Sequence, residues 1–232
     1  MLIKAVFLDV GGVFHLPTEE RLREALRGAG FELPADGLAR AHYAGMTGHD
    51  RGRGDYSRLM EPYVVEMVRA LEVPDAQVEA ARTAVLTALT TPGAWAGHIR
   101  DSIEELTRLA ATGVRIAIVS NSDGTVAARL REEGICQVGE GPGVAVDAIV
   151  DSGTVGIDKP DPRIWEPALA ATGVTPEEAV HVGDSLLTDV GGAQAAGIRP
   201  IHFDPFRLCE HDDHLHAERL ADVTRMVLES RR

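Results

Sequence analysis

Residues 3–14 read IKAVFLDVGGVF. The run IKAVFL has the length and apolar character of a buried strand; it delivers Asp9 and then breaks into Gly11 and Gly12. A carboxylate therefore stands where a strand meets a sharp turn. Outward from this stretch the same pattern returns in VRIAIV (114–119), VDAIV (146–150), EAVHV (178–182) and RPIHF (199–203). Each reads as a strand buried on both faces.

Helical segments fall between these runs, over roughly 98–111, 124–133, 161–172, 188–196 and 215–229. Strand and helix in alternation predict an α/β fold, a Rossmann-like doubly wound parallel sheet of about five strands. Ligands then belong at the carboxyl ends of the strands. Between the first strand and the next, the alternation lapses. TEERLREALRGAG (18–30), with Thr18 as its expected N-cap, EPYVVEMVRALEV (61–73) and DAQVEAARTAVLTALT (75–90) have helical periodicity, whereas HYAGMTGHDRGRGDY (42–56) reads as a Gly-rich charged loop. The expected organisation is a core of residues 1–14 and 96–232 with a helical cap inserted at 15–95.

The chain of 232 residues is long enough to bury its own core, and its 44% hydrophobic and 25% charged residues are ordinary for a soluble protein. No apolar run approaches the ~18 residues of a membrane span, and the N-terminus lacks the features of a secretory signal, so the expected location is cytoplasmic. A formal charge of −13 argues against nonspecific nucleic-acid binding. Cys136 and Cys209 form no CxxC pair, which gives little support to a metal cluster or disulfide.

Several polar residues fall at the ends of predicted strands: Asp9, then Ser120 and Asn121 in IVSNSDG, then Lys159 in GIDKPDP, then Asp184 and Asp189 in HVGDSLLTDVGGAQAAG. Singly, each reads as a cap, a turn or a surface residue. Together, at one edge of one sheet, they supply carboxylates, a hydroxyl and a cation. DVGGV, IVSNSDG, KPDPRIW and HVGDSLLTD, in this order, resemble the four motifs of the haloacid dehalogenase-like hydrolase superfamily, in the subgroup with a helical cap after the first strand.

The resemblance implies that Asp9 is a nucleophile that attacks phosphorus and forms an aspartyl-phosphate. It implies that Ser120 and the Asn121 amide hold the phosphoryl oxygens and that Lys159 neutralises charge. Asp9, the Gly11 carbonyl and Asp184 would hold Mg2+, with Asp189 completing or bracing that site. The implied substrate is a small phosphorylated metabolite.

Phosphatases of the family usually carry Asp where this chain has Gly11. That side chain protonates the leaving alkoxide and then activates water, and general acid-base catalysis contributes about 10²- to 10⁴-fold, roughly 3 to 5 kcal/mol. Glycine removes the acid yet keeps the main-chain carbonyl. A 2-haloacid dehalogenase, whose halide leaves unprotonated, is one alternative; but such members carry Tyr at this place and work without metal, whereas Asp184 is kept here. A degenerate member that binds ligand or partner without turnover is another. His15, past the first motif, and His49, Asp50 and Asp55 in the cap loop are candidate acids, and Arg51 and Arg53 are candidate anion binders. HDDHLHAE (211–218) invites a zinc reading for His211, His214 and His216, but its spacing matches no standard motif and it reads as a solvated polar turn. Trp95 and Trp165 read as packing residues.

Overall fold

The computed structural model describes residues 2–52 and 56–232, so Arg53 and Asp55 lie outside the described residues. The chain divides into two compact units. One runs to Phe14, then over Arg100–Pro205 and Cys209–Arg232; the other comprises His15–Ile99 with Phe206–Leu208.

The first unit is built on a parallel sheet of β1 (Ala5–Leu8), β2 (Arg115–Ser120), β3 (Ala148–Asp151), β4 (Ala179–Gly183), β5 (Arg199–Phe203) and β6 (Leu215–Ala217). The strand order is β6-β5-β4-β1-β2-β3. Every side chain of β1 and β4 is buried, as expected of central parallel strands covered on both faces. Phe7, Val119, Val150, Ile164, Trp165 and Ile198 share one core on this sheet, so Trp165 is a packing residue. Strand order reverses beside β1, which makes the carboxyl ends of β1, β2 and β4 the place where a crevice forms.

Among the described residues this sheet has six strands, in keeping with the expected count of about five. The sixth, Leu215–Ala217, lies inside HDDHLHAE and pairs in parallel with β5, and the terminal helix starts only at Leu220. Its polar composition hid it, because an edge strand of three residues shows no apolar run.

Among the described residues the second unit holds the α-helices α1 (Glu19–Gly28), α2 (Gly37–Arg51), α3 (Tyr56–Ala70) and α4 (Val78–Thr90). A ribbon of His15–Leu16 against Gly97–His98 ties together the strands at which the chain enters and leaves it. Leu22, Leu26, Tyr63, Met67, Val85 and Leu89 lie in its core, with Trp95 packed against them. Thr18 does precede α1, yet its hydroxyl donates to the Ala94 carbonyl at 3.1 Å rather than capping the helix.

Residues 42–51 are helical, which corrects the expectation of a loop there. The glycines serve packing. A Cβ on Gly45 would lie 2.7 Å from the Tyr63 ring, and one on Gly48 would lie 2.2 Å from the Pro62 carbonyl oxygen. Close approach of α2 to α3 requires bare backbone, at the usual cost of about 1 kcal/mol per helical glycine. Among the described residues no helix is long and apolar enough to cross a membrane.

Candidate active site

Asp9 follows β1, Ser120 closes β2 and Asp184 follows β4, so three adjacent strands present these side chains at one edge of the sheet. All three are buried, as are Lys159 and Asp189. Lys159 Nζ lies 3.0 Å from Asp9 Oδ1 and donates to Asp189 Oδ1 at 2.6 Å.

Asp189 sits in a π-helical turn, Leu186–Gly191, that Ser185 caps by accepting from the Thr188 amide at 3.0 Å. Its carboxylate also accepts from His181 Nε2 at 2.8 Å and from the Ser185 amide at 3.1 Å. With Lys159 this makes three donors on one buried carboxylate. Asp189 therefore braces the lysine, and its oxygens are largely committed to that task.

Burial and mutual charge shift Asp9, Lys159 and Asp189. Burial raises the Asp9 carboxyl above the ordinary range, the neighbouring Asp189 adds to this, and Lys159 only partly offsets it. Burial alone would lower the Lys159 ammonium, but Asp189 and Asp9 outweigh it and hold the lysine charged. For Asp189, burial is outweighed by Lys159 and His181, and the carboxyl stays well below its usual value.

Two glycines behave differently at the turn after β1. Gly12 has a φ of +65°, and a Cβ there would fall 2.0 Å from Asp184 Oδ2, so main chain and carboxylate meet where no side chain fits. A Cβ on Gly11 would meet nothing closer than Asp9 Oδ2, at 4.0 Å. A side chain can therefore start from Gly11 without a clash at its Cβ.

Asp9, Asp184 and Asp189 can bring one oxygen each within 4.8 Å of one another. Three buried carboxylates outnumber the ammonium joined to two of them, an imbalance that a hard divalent cation relieves with the oxygen ligands it prefers. Asp9 and Asp184, whose oxygens are less committed than those of Asp189, are the carboxylates that could hold such an ion.

Other expected site residues belong to the helical unit. His15 is buried, pairs with His98 in the ribbon and has its ring centroid 5.5 Å from that of His98. Arg51 ends α2 and donates to Glu66 at 2.6 Å and to the Thr47 carbonyl at 2.9 Å. His49 Nδ1 lies 3.4 Å from Asp50 Oδ1.

Sequence reasoning missed His181 and the side chain of Asn121. His181 is fully buried on β4 with Trp165 edge-on at 5.2 Å; a lone histidine inside the apolar run EAVHV was the available signal. Asn121 Oδ1 accepts from the Lys159 amide at 2.7 Å, and its Nδ2 donates to the Lys159 carbonyl at 3.0 Å. Asp151, at the end of β3, accepts from the Gly124, Val126 and Gly153 amides and shapes the loop after Asn121.

Comparisons with known proteins bear on the family and the fold. A family model described as haloacid dehalogenase-like hydrolase matches residues 3–197. The mouse haloacid dehalogenase-like hydrolase domain-containing protein 3 is 33% identical over 188 residues, 79% of this chain and 65% of that protein. A phosphoserine phosphatase of Thermus thermophilus is 49% identical over 67 residues, 29% of this chain and 27% of that protein. The aligned stretches thus span less than two thirds of the length of these relatives. Among solved structures, a HAD phosphatase from Thermococcus onnurineus has a TM-score of 0.56 at 21% identity, covering 97% of this chain and 98% of that one. A 2-haloacid dehalogenase from Pseudomonas syringae has a TM-score of 0.55 at 20% identity and covers all of both chains. Motifs, sheet order and family match converge: the chain belongs to the haloacid dehalogenase-like hydrolases.

Proposed function

We propose that the chain is a Mg2+-dependent phosphatase of small phosphomonoesters that works through a covalent phosphate on Asp9. The observation that carries this reading is the carboxylate group of Asp9, Asp184 and Asp189, with Asp184 kept against the Gly12 main chain. Displacement of halide has no use for such a cation site. Relatives named as phosphatases of phosphoserine and of glyceraldehyde 3-phosphate point the same way.

Asp9 attacks phosphorus through one carboxylate oxygen while the ester P–O bond breaks and its electron pair leaves with the alcohol oxygen. Lys159 stands 3.0 Å from that carboxylate, where its charge steadies both nucleophile and phosphoryl oxygens. The Ser120 hydroxyl and the Asn121 amide donate to those oxygens. Asp9, Asp184 and the Gly11 carbonyl would hold Mg2+, which would supply Lewis-acid charge to the same group. Water then attacks the phosphorus of the aspartyl-phosphate, releasing inorganic phosphate and restoring Asp9. Gly11 offers no acid, so leaving groups stable as anions react fastest. Substrate selection is assigned to the helical unit.

The dehalogenase reading retains one supporting observation, the absence of an acid at Gly11. Phosphate release from p-nitrophenyl phosphate and a panel of sugar phosphates, with and without Mg2+, tests the proposal against Asp9→Asn. Metal-dependent release that is lost in the variant is expected. Release that survives in Asp9→Asn overturns the proposal, and metal-free halide release from 2-chloropropionate replaces it with the alternative.

A further inference from the structure

A second group of metal-type ligands lies at the other end of the sheet's carboxyl edge. His202, Cys209, His214 and His216 can place one ligand atom each within 4.8 Å of one another. In sequence they read H-x6-C-x4-H-x-H, a spacing that the segment 211–218 alone does not reveal. His202 on β5 and His216 on β6 are register partners in parallel strands and so project to the same face. The loop between them returns Cys209 and His214 to that point. Its course is set in part by the buried Asp204 carboxylate, which accepts from the Cys209 amide at 2.9 Å. This corrects the reading of a solvated turn: the His214 side chain is 2% exposed.

The outer hydrogen bonds of the three imidazoles are those of metal ligands. His202 Nε2 donates to the Asp184 carbonyl at 3.1 Å, and His216 Nε2 donates to the His211 carbonyl at 2.9 Å. His214 Nδ1 donates to Asp213 Oδ1 at 2.8 Å. In its neutral form each ring thus donates through one nitrogen and turns the other, His202 Nδ1, His216 Nδ1 or His214 Nε2, into the one able to ligate. Carbonyls and a carboxylate behind ligating histidines are the usual supporting arrangement. Cys209 Sγ lies 3.8 Å from His214 Nε2, close to the roughly 3.6 Å edge expected of an S,N pair in a tetrahedral zinc site. The rings of His214 and His216 stack at 4.6 Å, and the His202 centroid is 5.4 and 5.5 Å from theirs.

We propose that His202, Cys209, His214 and His216 form a closed four-ligand zinc site, separate from the carboxylate site. Four protein ligands including a thiolate suit a structural ion that pins the loop between β5 and β6. His202 also joins this site to the catalytic edge, because the carbonyl it holds belongs to Asp184. This assignment does not depend on the reaction that Asp9 performs.

The test uses the chelator-treated chain in excess Mg2+, added to occupy the carboxylate site. Zinc should then bind at about one equivalent per chain and protect Cys209 from a thiol reagent. Co2+ as a probe should produce a near-ultraviolet thiolate charge-transfer band, which a carboxylate site cannot give. Cys209→Ser should abolish that band, His214→Ala should lower zinc affinity at least tenfold, and His211→Ala, which keeps the main-chain carbonyl, should retain both. No thiolate band in the wild-type chain, or unchanged Cys209 labelling on adding zinc, overturns the proposal.

Discussion

Asn121 grips Lys159 by its main chain, accepting from the amide at 2.7 Å and donating to the carbonyl at 3.0 Å. The end of β2 thereby fixes the loop that delivers the ammonium to Asp9 and Asp189. Asn121→Ala removes both bonds and leaves a half-buried amide and carbonyl to be resatisfied, a loss of about 1 to 3 kcal/mol. Turnover should fall by about tenfold or more, with kcat affected more than KM, since the lysine is displaced rather than removed. Steady-state kinetics beside urea unfolding measure both effects.

Neighbouring glycines should respond in opposite ways. Gly12→Ala sets a Cβ 2.0 Å from Asp184 Oδ2 at a φ of +65°, so it should destabilise the fold by more than about 1 kcal/mol and abolish Mg2+-dependent activity. Gly11→Ala meets no atom closer than 4.0 Å and should stay within about 0.5 kcal/mol of the wild type in thermal unfolding. Equal effects of the two substitutions would contradict the placement of the Asp184 carboxylate.

The space at Gly11 also makes the missing acid restorable. Gly11→Asp should raise turnover of alkyl phosphates by about 10²-fold while changing p-nitrophenyl phosphate far less, because only the alkoxide needs a proton on departure. A uniform change across both substrates would mean that another group already serves as the acid.

His42, in the core of the helical unit, bonds to the Tyr63 hydroxyl at 2.8 Å and is held neutral. Burial, assisted by the charge of His49, pushes its pKa down from 6.5 to about 3. Unfolded histidine binds its proton near pH 6.5 and the folded one does not, so stability is full above that pH and declines as pH falls toward 3. Between pH 6.5 and 5 the loss should be roughly 2 kcal/mol, at about 1.4 kcal/mol per pH unit. His42→Asn should flatten that slope in urea unfolding series; parallel curves for both proteins would refute the assignment.

Five of the six sheet strands and the carboxylate, hydroxyl and lysine at their ends were legible because buried parallel strands write continuous apolar runs and turn residues punctuate them. What escaped was set by tertiary contact. Gly45 and Gly48 read as loop because their value lies in the Tyr63 and Pro62 atoms they admit, which no local pattern encodes. His181 and the Asn121 side chain act on Asp189 and Lys159 from distant positions in the sequence. The cluster of His202, Cys209, His214 and His216 emerged only when a polar tripeptide proved to be the sixth strand.

On the proposed mechanism Asp9 carries the phosphate during turnover. Acid quenching of the protein with Mg2+ and p-nitrophenyl phosphate in the first turnovers, followed by peptide mass spectrometry, traps that phosphate. The expected result is a hydroxylamine-labile phosphate on the peptide bearing Asp9, absent from Asp9→Asn. Phosphate release by the wild type with no covalent phosphate on that peptide, or with phosphate on another residue, would contradict the account.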